Sequence, residues 1–145
     1  MIRIAVFYLV QIIITLLAIR RGGAPERIVG LALLSATIGT TLIPFEPHQT
    51  FHGINWYALY IDGVLLAVLL VIAARADRYW PLWLAALQVV TIGIHGVRAY
   101  DPFFLPIVYA RLAGDIAYPM LALLLVGIVR HDRRSGDADW SPFKW

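Results

Sequence analysis

The sequence predicts an all-α integral membrane protein: a bundle of five transmembrane helices, N-terminus outside and C-terminus in the cytoplasm. Three observations lead there. Of 145 residues, 61% are hydrophobic and 14% charged, against about 45–50% apolar and about 25% charged in a soluble domain. Five apolar segments, each near the roughly 20 residues needed to cross a bilayer, are separated by breaker-rich stretches. The basic residues also fall almost entirely on one side of the resulting topology.

The first segment, Ile4–Ile19, is flanked by Arg3 and Arg20, which lengthen it by snorkelling. No small-x-small cleavage pattern precedes Arg20-Arg21, so this segment is expected to be retained. The second is Ile28–Pro44, the third Trp56–Ala74, the fourth Trp80–Val97 and the fifth Phe104–Val129. Between them lie RRGGAPER, PFEPHQTFHG, RADRY and RAYDP, rich in charge, Gly and Pro. Pro119 sits inside the fifth segment. It has no N–H for the carbonyl of Asp115, so that span is expected to tilt or kink. Residues 1–130 form the predicted membrane domain, and 131–145 a short cytoplasmic tail.

Nine basic residues (Arg20, Arg21, Arg27, Arg75, Arg78, Arg130, Arg133, Arg134 and Lys144) fall in the first loop, the third loop and the tail. Arg3 and Arg98 stand opposite, and Arg111 lies within a span. Cytoplasmic loops carry the Lys/Arg excess, which sets the orientation. Trp56, Tyr57, Tyr79, Trp80, Trp83, Phe103 and Phe104 mark the span borders, as an aromatic belt does.

At about 100° per residue, Gln88, Thr91, His95 and Arg98 share one face of the fourth span. Arg111, Gly114, Asp115 and Tyr118 share one face of the fifth, and Tyr8, Gln11, Thr15 and Ala18 one face of the first. Asp62 lies in the third. Ser35 and Gly39 form a small-xxx-small step in the second, beside Thr37 and Thr41. Polar stripes turn inward because lipid cannot satisfy them. Gln11, Thr15, Ser35, Thr37 and Gln88 are therefore expected to bond between helices. The ionisable residues gather in the outer half, whereas VLLAVLLVIA and MLALLLVGIV leave the cytoplasmic half plain. Placing Arg111 or Asp115 alone in lipid costs about 2.5–3.5 kcal/mol each. An Arg111–Asp62–Asp115 cluster, with His95, Arg98 and Gln88 nearby, is the expected solution.

Candidate chemistry is sparse. His48 and His52, spaced to share a helical turn, reach a metal-ligand count with His95, Asp62 or Glu46. No Glu stands between them to make a zinc-protease motif, and Pro44 and Pro47 interrupt the turn. Arg98, Arg111 and His95 suit the oxygens of a quinone or lipid headgroup. Haem is disfavoured, because only His95 lies clearly within a span. The absence of cysteine removes disulfides, thiolate metal sites and thiol catalysis. No phosphate-cradling loop, nucleophile elbow or nucleotide fingerprint occurs, nor an inverted repeat of transporter type. The net charge of +3 follows from topology and gives no reason to expect nucleic acid. In the tail, Trp140, Phe143 and Trp145 are placed either to enter the inner leaflet or to anchor a partner.

The stretch ADRYWPLWLAALQVVTIGIH, residues 76–95, resembles small multi-pass proteins of alphaproteobacteria without an assigned activity. The resemblance implies a bacterial inner membrane and carries no residue roles. Small size, little mass outside the bilayer and an aromatic tail lead to the expectation of a non-enzymatic accessory or structural subunit, partnered by lipid and other membrane subunits. The alternative is a membrane-embedded binding protein or enzyme with a periplasm-side pocket for a metal, quinone or lipid headgroup.

Overall fold

The computed structural model describes residues 2–42, 56–76, 78–100 and 114–135. Among them are five helices and no strand: α1 (Ile2–Arg21), α2 (Ala24–Leu42), α3 (Trp56–Arg75), α4 (Trp80–Tyr100) and α5 (Ala117–Ser135). Each is about 30 Å long at 1.5 Å per residue. Their interiors are runs of Leu, Ile, Val and Ala. The prolines they contain, Pro25, Pro81 and Pro119, stand in the first turns of α2, α4 and α5. There a missing N–H costs no helical bond. Arginines close α1 and α3 and occupy the last turn of α5, where they oppose the negative end of the helix dipole.

The α1–α2 connection is Gly22-Gly23. The Gly22 amide donates to the Ala18 carbonyl at 2.9 Å. A Cβ on Gly22 would stand 2.5 Å from that oxygen and 2.7 Å from the Glu26 Cβ, so only glycine fits this turn. The result is an antiparallel hairpin. Thr15 meets Gly30 near its middle, and the Tyr8 hydroxyl meets that of Thr41 at its open end. The helices close into a ring: α2 packs on α3, α3 on α4, α4 on α5, and α5 back on α1, with α2 also touching α5. Phe7 meets Tyr118, and Arg21 meets Asp132, so α1 and α5 run parallel. One end of the bundle thus gathers the α1–α2 turn, the α3–α4 link and the end of α5. It carries Arg20, Arg21, Arg27, Arg75, Arg78, Arg130, Arg133 and Arg134.

The core comprises Ala18, Val29, Leu33, Leu65, Leu69, Trp80, Leu84, Leu121, Leu124 and Ile128 among others. Helices approach most closely at glycine. A Cβ on Gly30 would lie 3.2 Å from that of Ala18, and one on Gly127 3.0 Å from the Trp80 ring. Gln11, Thr15, Glu26, Gln88, Thr91 and His95 are buried as well. Every helix exposes large apolar side chains: Leu9, Ile13 and Leu16 on α1, Leu31 and Ile38 on α2, Val64 and Val71 on α3, Val89 and Val90 on α4, Val126 and Val129 on α5. Two helices, Trp56–Arg75 and the Trp80–Val97 part of α4, are long and apolar enough to cross a membrane.

The fifth apolar segment departs from a single span. Gly114 and Asp115 are helical, Ile116 is a turn, and α5 begins at Ala117. The break falls one turn before Pro119, whose ring disfavours a continuous helix through residues 115–118. Met120 resumes the ladder by donating to Ile116 at 3.3 Å. At its other end α5 continues through Arg130–Ser135, five residues into the stretch read as tail; residues 136–145 lie outside the described part.

Replacing Gly127 by Leu should destabilise the bundle by about 1–3 kcal/mol, because the side chain must displace the Trp80 indole. Gly93, where an added Cβ would meet nothing within 4 Å, should accept Ala without loss. Denaturant titration in detergent, read by helical circular dichroism, checks both.

Candidate functional site

Two polar clusters occupy opposite ends of the bundle. The first joins α3 to α4. On α4, Gln88, Thr91 and His95 recur at helical spacing and form one buried stripe. The Gln88 amide nitrogen donates to the Asp62 Oδ1 at 2.9 Å and to the Asp62 backbone carbonyl at 3.2 Å. The His95 Nε2 lies 2.8 Å from Asp62 Oδ2. Both carboxylate oxygens are therefore engaged within the bundle. The Asp62 side chain keeps 22% of its surface exposed, while His95 keeps 4%. A carboxylate and an imidazole in contact form a charge-assisted bond when the ring is protonated, and together can hold and pass one proton.

The sequence grouped Asp62, Gln88 and His95 with Arg98, Arg111 and Asp115. The first three come together. Asp115 is exposed beside the break before α5. Arg111 and the Arg98 side chain lie outside the described residues, as do His48, His52, Trp140, Phe143 and Trp145. Among the described residues no group of three His, Asp or Glu is placed to hold a metal.

The expected bonding between helices holds for Thr15 and Gln88 and not at α2. Thr15 donates to the Gly30 carbonyl across the α1–α2 contact at 3.4 Å, and Gln88 reaches α3. Gln11 turns inward as expected, but its amide nitrogen meets no acceptor among the described residues. Ser35 and Thr37 instead donate to the carbonyls of Leu31 and Leu33 in their own helix, at 2.8 and 2.9 Å. A short hydroxyl side chain satisfies itself one turn back at no cost in interhelical fit. Thr41 does the same to Thr37, so the Tyr8–Thr41 contact must be donated by the tyrosine.

The second cluster lies at the arginine-rich end, in the half the sequence suggested was plain. Glu26, in the first turn of α2, is fully buried. Its Oε1 accepts from Arg78 Nη1 at 2.6 Å, and Arg78 Nη2 stands 3.1 Å from His131 Nδ1. Because guanidinium only donates, that imidazole nitrogen is the acceptor in this contact. Gly23 lies close against the cluster: a Cβ there would sit 3.0 Å from His131 and 3.1 Å from Glu26 Oε2, so a larger residue would crowd both side chains. The signals for Glu26 were thin. It is an acid in an otherwise basic loop, at a helix N-terminus where negative charge is favoured. Arg78, its partner, and His131, which contacts Arg78, are 52 and 105 residues away, beyond any local pattern. The nearby Arg21–Asp132 pair, 3.5 Å apart and mostly exposed, contributes little.

No protein-family model matches the chain, and no curated protein or solved structure matches it either.

Arg78→Ala should cost on the order of 3 kcal/mol, since it strands a buried carboxylate; the partial exposure of Arg78 keeps the loss at the low end of the range for buried pairs. Glu26→Met combined with Arg78→Met should restore most of that stability. Comparing the three variants by denaturant unfolding in detergent measures the coupling directly.

Proposed function

We propose that this chain is a small multi-pass protein of the bacterial inner membrane, with five spans, N-terminus out and C-terminus in, acting as an accessory or structural subunit of a larger membrane complex. The observation that carries the reading is the polarity of the bundle. Large apolar side chains are exposed on every helix, and the exposed hydroxyls of Ser35, Thr40 and Thr41 bond carbonyls of their own helix, while Gln11, Thr15, Glu26, Gln88, Thr91 and His95 face inward. That arrangement suits lipid as solvent and is unfavourable in water. The arginines at one end support the orientation. The engagement of both Asp62 oxygens by Gln88 and His95 supports a structural seam, whose polar groups hold helices together.

A second reading has one observation in its favour. The Asp62–His95 pair remains partly accessible through Asp62, and such a pair suits a quinone carbonyl or a lipid headgroup in the outer half.

The chain has no cysteine, so single cysteines report topology cleanly. In spheroplasts, Leu42→Cys should react with a membrane-impermeant maleimide, and Arg134→Cys should react only after permeabilisation; the opposite pattern overturns the orientation. Native mass spectrometry of protein extracted from its own membranes separates the two functions. Stoichiometric polypeptide partners, lost on removing Trp140 and Trp145, are the expected result. A lone chain carrying a quinone or headgroup adduct that disappears with His95→Ala establishes the second reading instead.

A further inference from the structure

We propose that the groove between α2 and α3 holds one acyl chain of an anionic phospholipid, with its phosphate against Arg75. This rests on the membrane reading above. The groove, about 340 Å³, is walled by Pro25 and Ile28 on one side and by Ala67, Val71 and Ile72 on the other, and Arg75 stands at its mouth. Ala67, with a small side chain, lines it as well. Pro25 keeps the opposite wall apolar, because it has no N–H to present.

Three features select a lipid. From Ala67 to Arg75 the groove runs about 12 Å along the helix axis, close to the roughly 15 Å that one leaflet contributes to the hydrocarbon core. An α-helix, about 10–12 Å across with its side chains, covers a face and does not enter a recess between two packed helices. An acyl chain does. The mouth also opens at the arginine-rich end, where Arg20, Arg21, Arg27, Arg130, Arg133 and Arg134 are exposed and favour anionic headgroups.

The local electrostatics favour Arg75 as the contact. Arg78, the neighbouring arginine of the α3–α4 link, is engaged by Glu26 and His131. The positive start of α2 adjoins the negative end of α3 at the same mouth, so the two helix dipoles offset each other. The exposed guanidinium of Arg75 then decides the sign of the charge that binds, and its fork suits phosphate oxygens.

The test is native mass spectrometry of the full chain in detergent with equal amounts of phosphatidylglycerol and phosphatidylcholine. A 1:1 phosphatidylglycerol adduct is expected. Arg75→Gln should weaken it about fivefold, the factor matching roughly 1 kcal/mol for one arginine near an anionic lipid surface. Ala67→Trp should remove both lipids by filling the recess. Arg134→Gln, at the same end but outside the groove, should change nothing. An adduct that survives Ala67→Trp, a preference that survives Arg75→Gln, or an equal loss with Arg134→Gln overturns the assignment. So does a polypeptide crosslinked to a cysteine placed at Val71. Resistance of the chain to carbonate extraction of membranes tests the membrane reading by itself: a retained chain without lipid preference refutes the groove site alone.

Discussion

The bundle depends on one buried carboxylate. Glu26 begins α2, Arg78 belongs to the link before α4, and His131 lies near the end of α5, yet the three share a cluster with contacts of 2.6 and 3.1 Å. Removing a carboxylate from water is expensive unless a cation and good geometry compensate. Glu26 is buried only where Arg78 reaches it, and Arg78 reaches it only when the α3–α4 link lies beside the α1–α2 turn. His131 then brings α5 to the same place. The pair therefore sets how the two hairpins and the last helix meet at one end. Its net contribution to stability is small compared with the penalty for breaking it, which makes it a device of arrangement more than of strength.

The rest of the packing follows from a similar constraint. Helices rich in Leu, Ile and Val have little to distinguish one neighbour from another. Specific contacts arise where side chains are small or polar. Gly30 lets α2 lie against Ala18 and Thr15, and Gly127 accepts the face of Trp80. Gln88 and His95 tie α4 to Asp62 on α3. These contacts are spread around the ring, one or more at most helix–helix junctions, so the seam fixes register that Leu, Ile and Val leave open.

The proposed roles divide along the same axis. The end away from the arginines carries the Asp62–His95 pair, whose carboxylate oxygens are both engaged inside the bundle. The arginine-rich end carries a latch of three segments and, next to it, an apolar groove lined in part by Arg75.

Composition and breaker spacing alone determined the all-helical class and where α3 and α4 begin, but not the start of α2, which lies inside the first loop as read, nor the bounds of α5. Trp56 and Trp80 start α3 and α4 where the sequence places them, because apolar runs bounded by charge, Gly and Pro have only one way to satisfy their backbone. Periodicity also determined that Gln11, Thr15, Gln88, Thr91 and His95 turn inward. It did not determine their partners. Asp62 was legible as an acid within an apolar helix, but a 3.6-residue period says which face a residue occupies and not which helix lies opposite. Ser35 and Thr37 read as interhelical donors, yet a carbonyl one turn back was nearer. Glu26 looked like loop charge because its cation and its imidazole are distant in sequence. Only the tertiary structure, by bringing the first turn, the third link and the last helix to one end, decided that this glutamate would be the buried one.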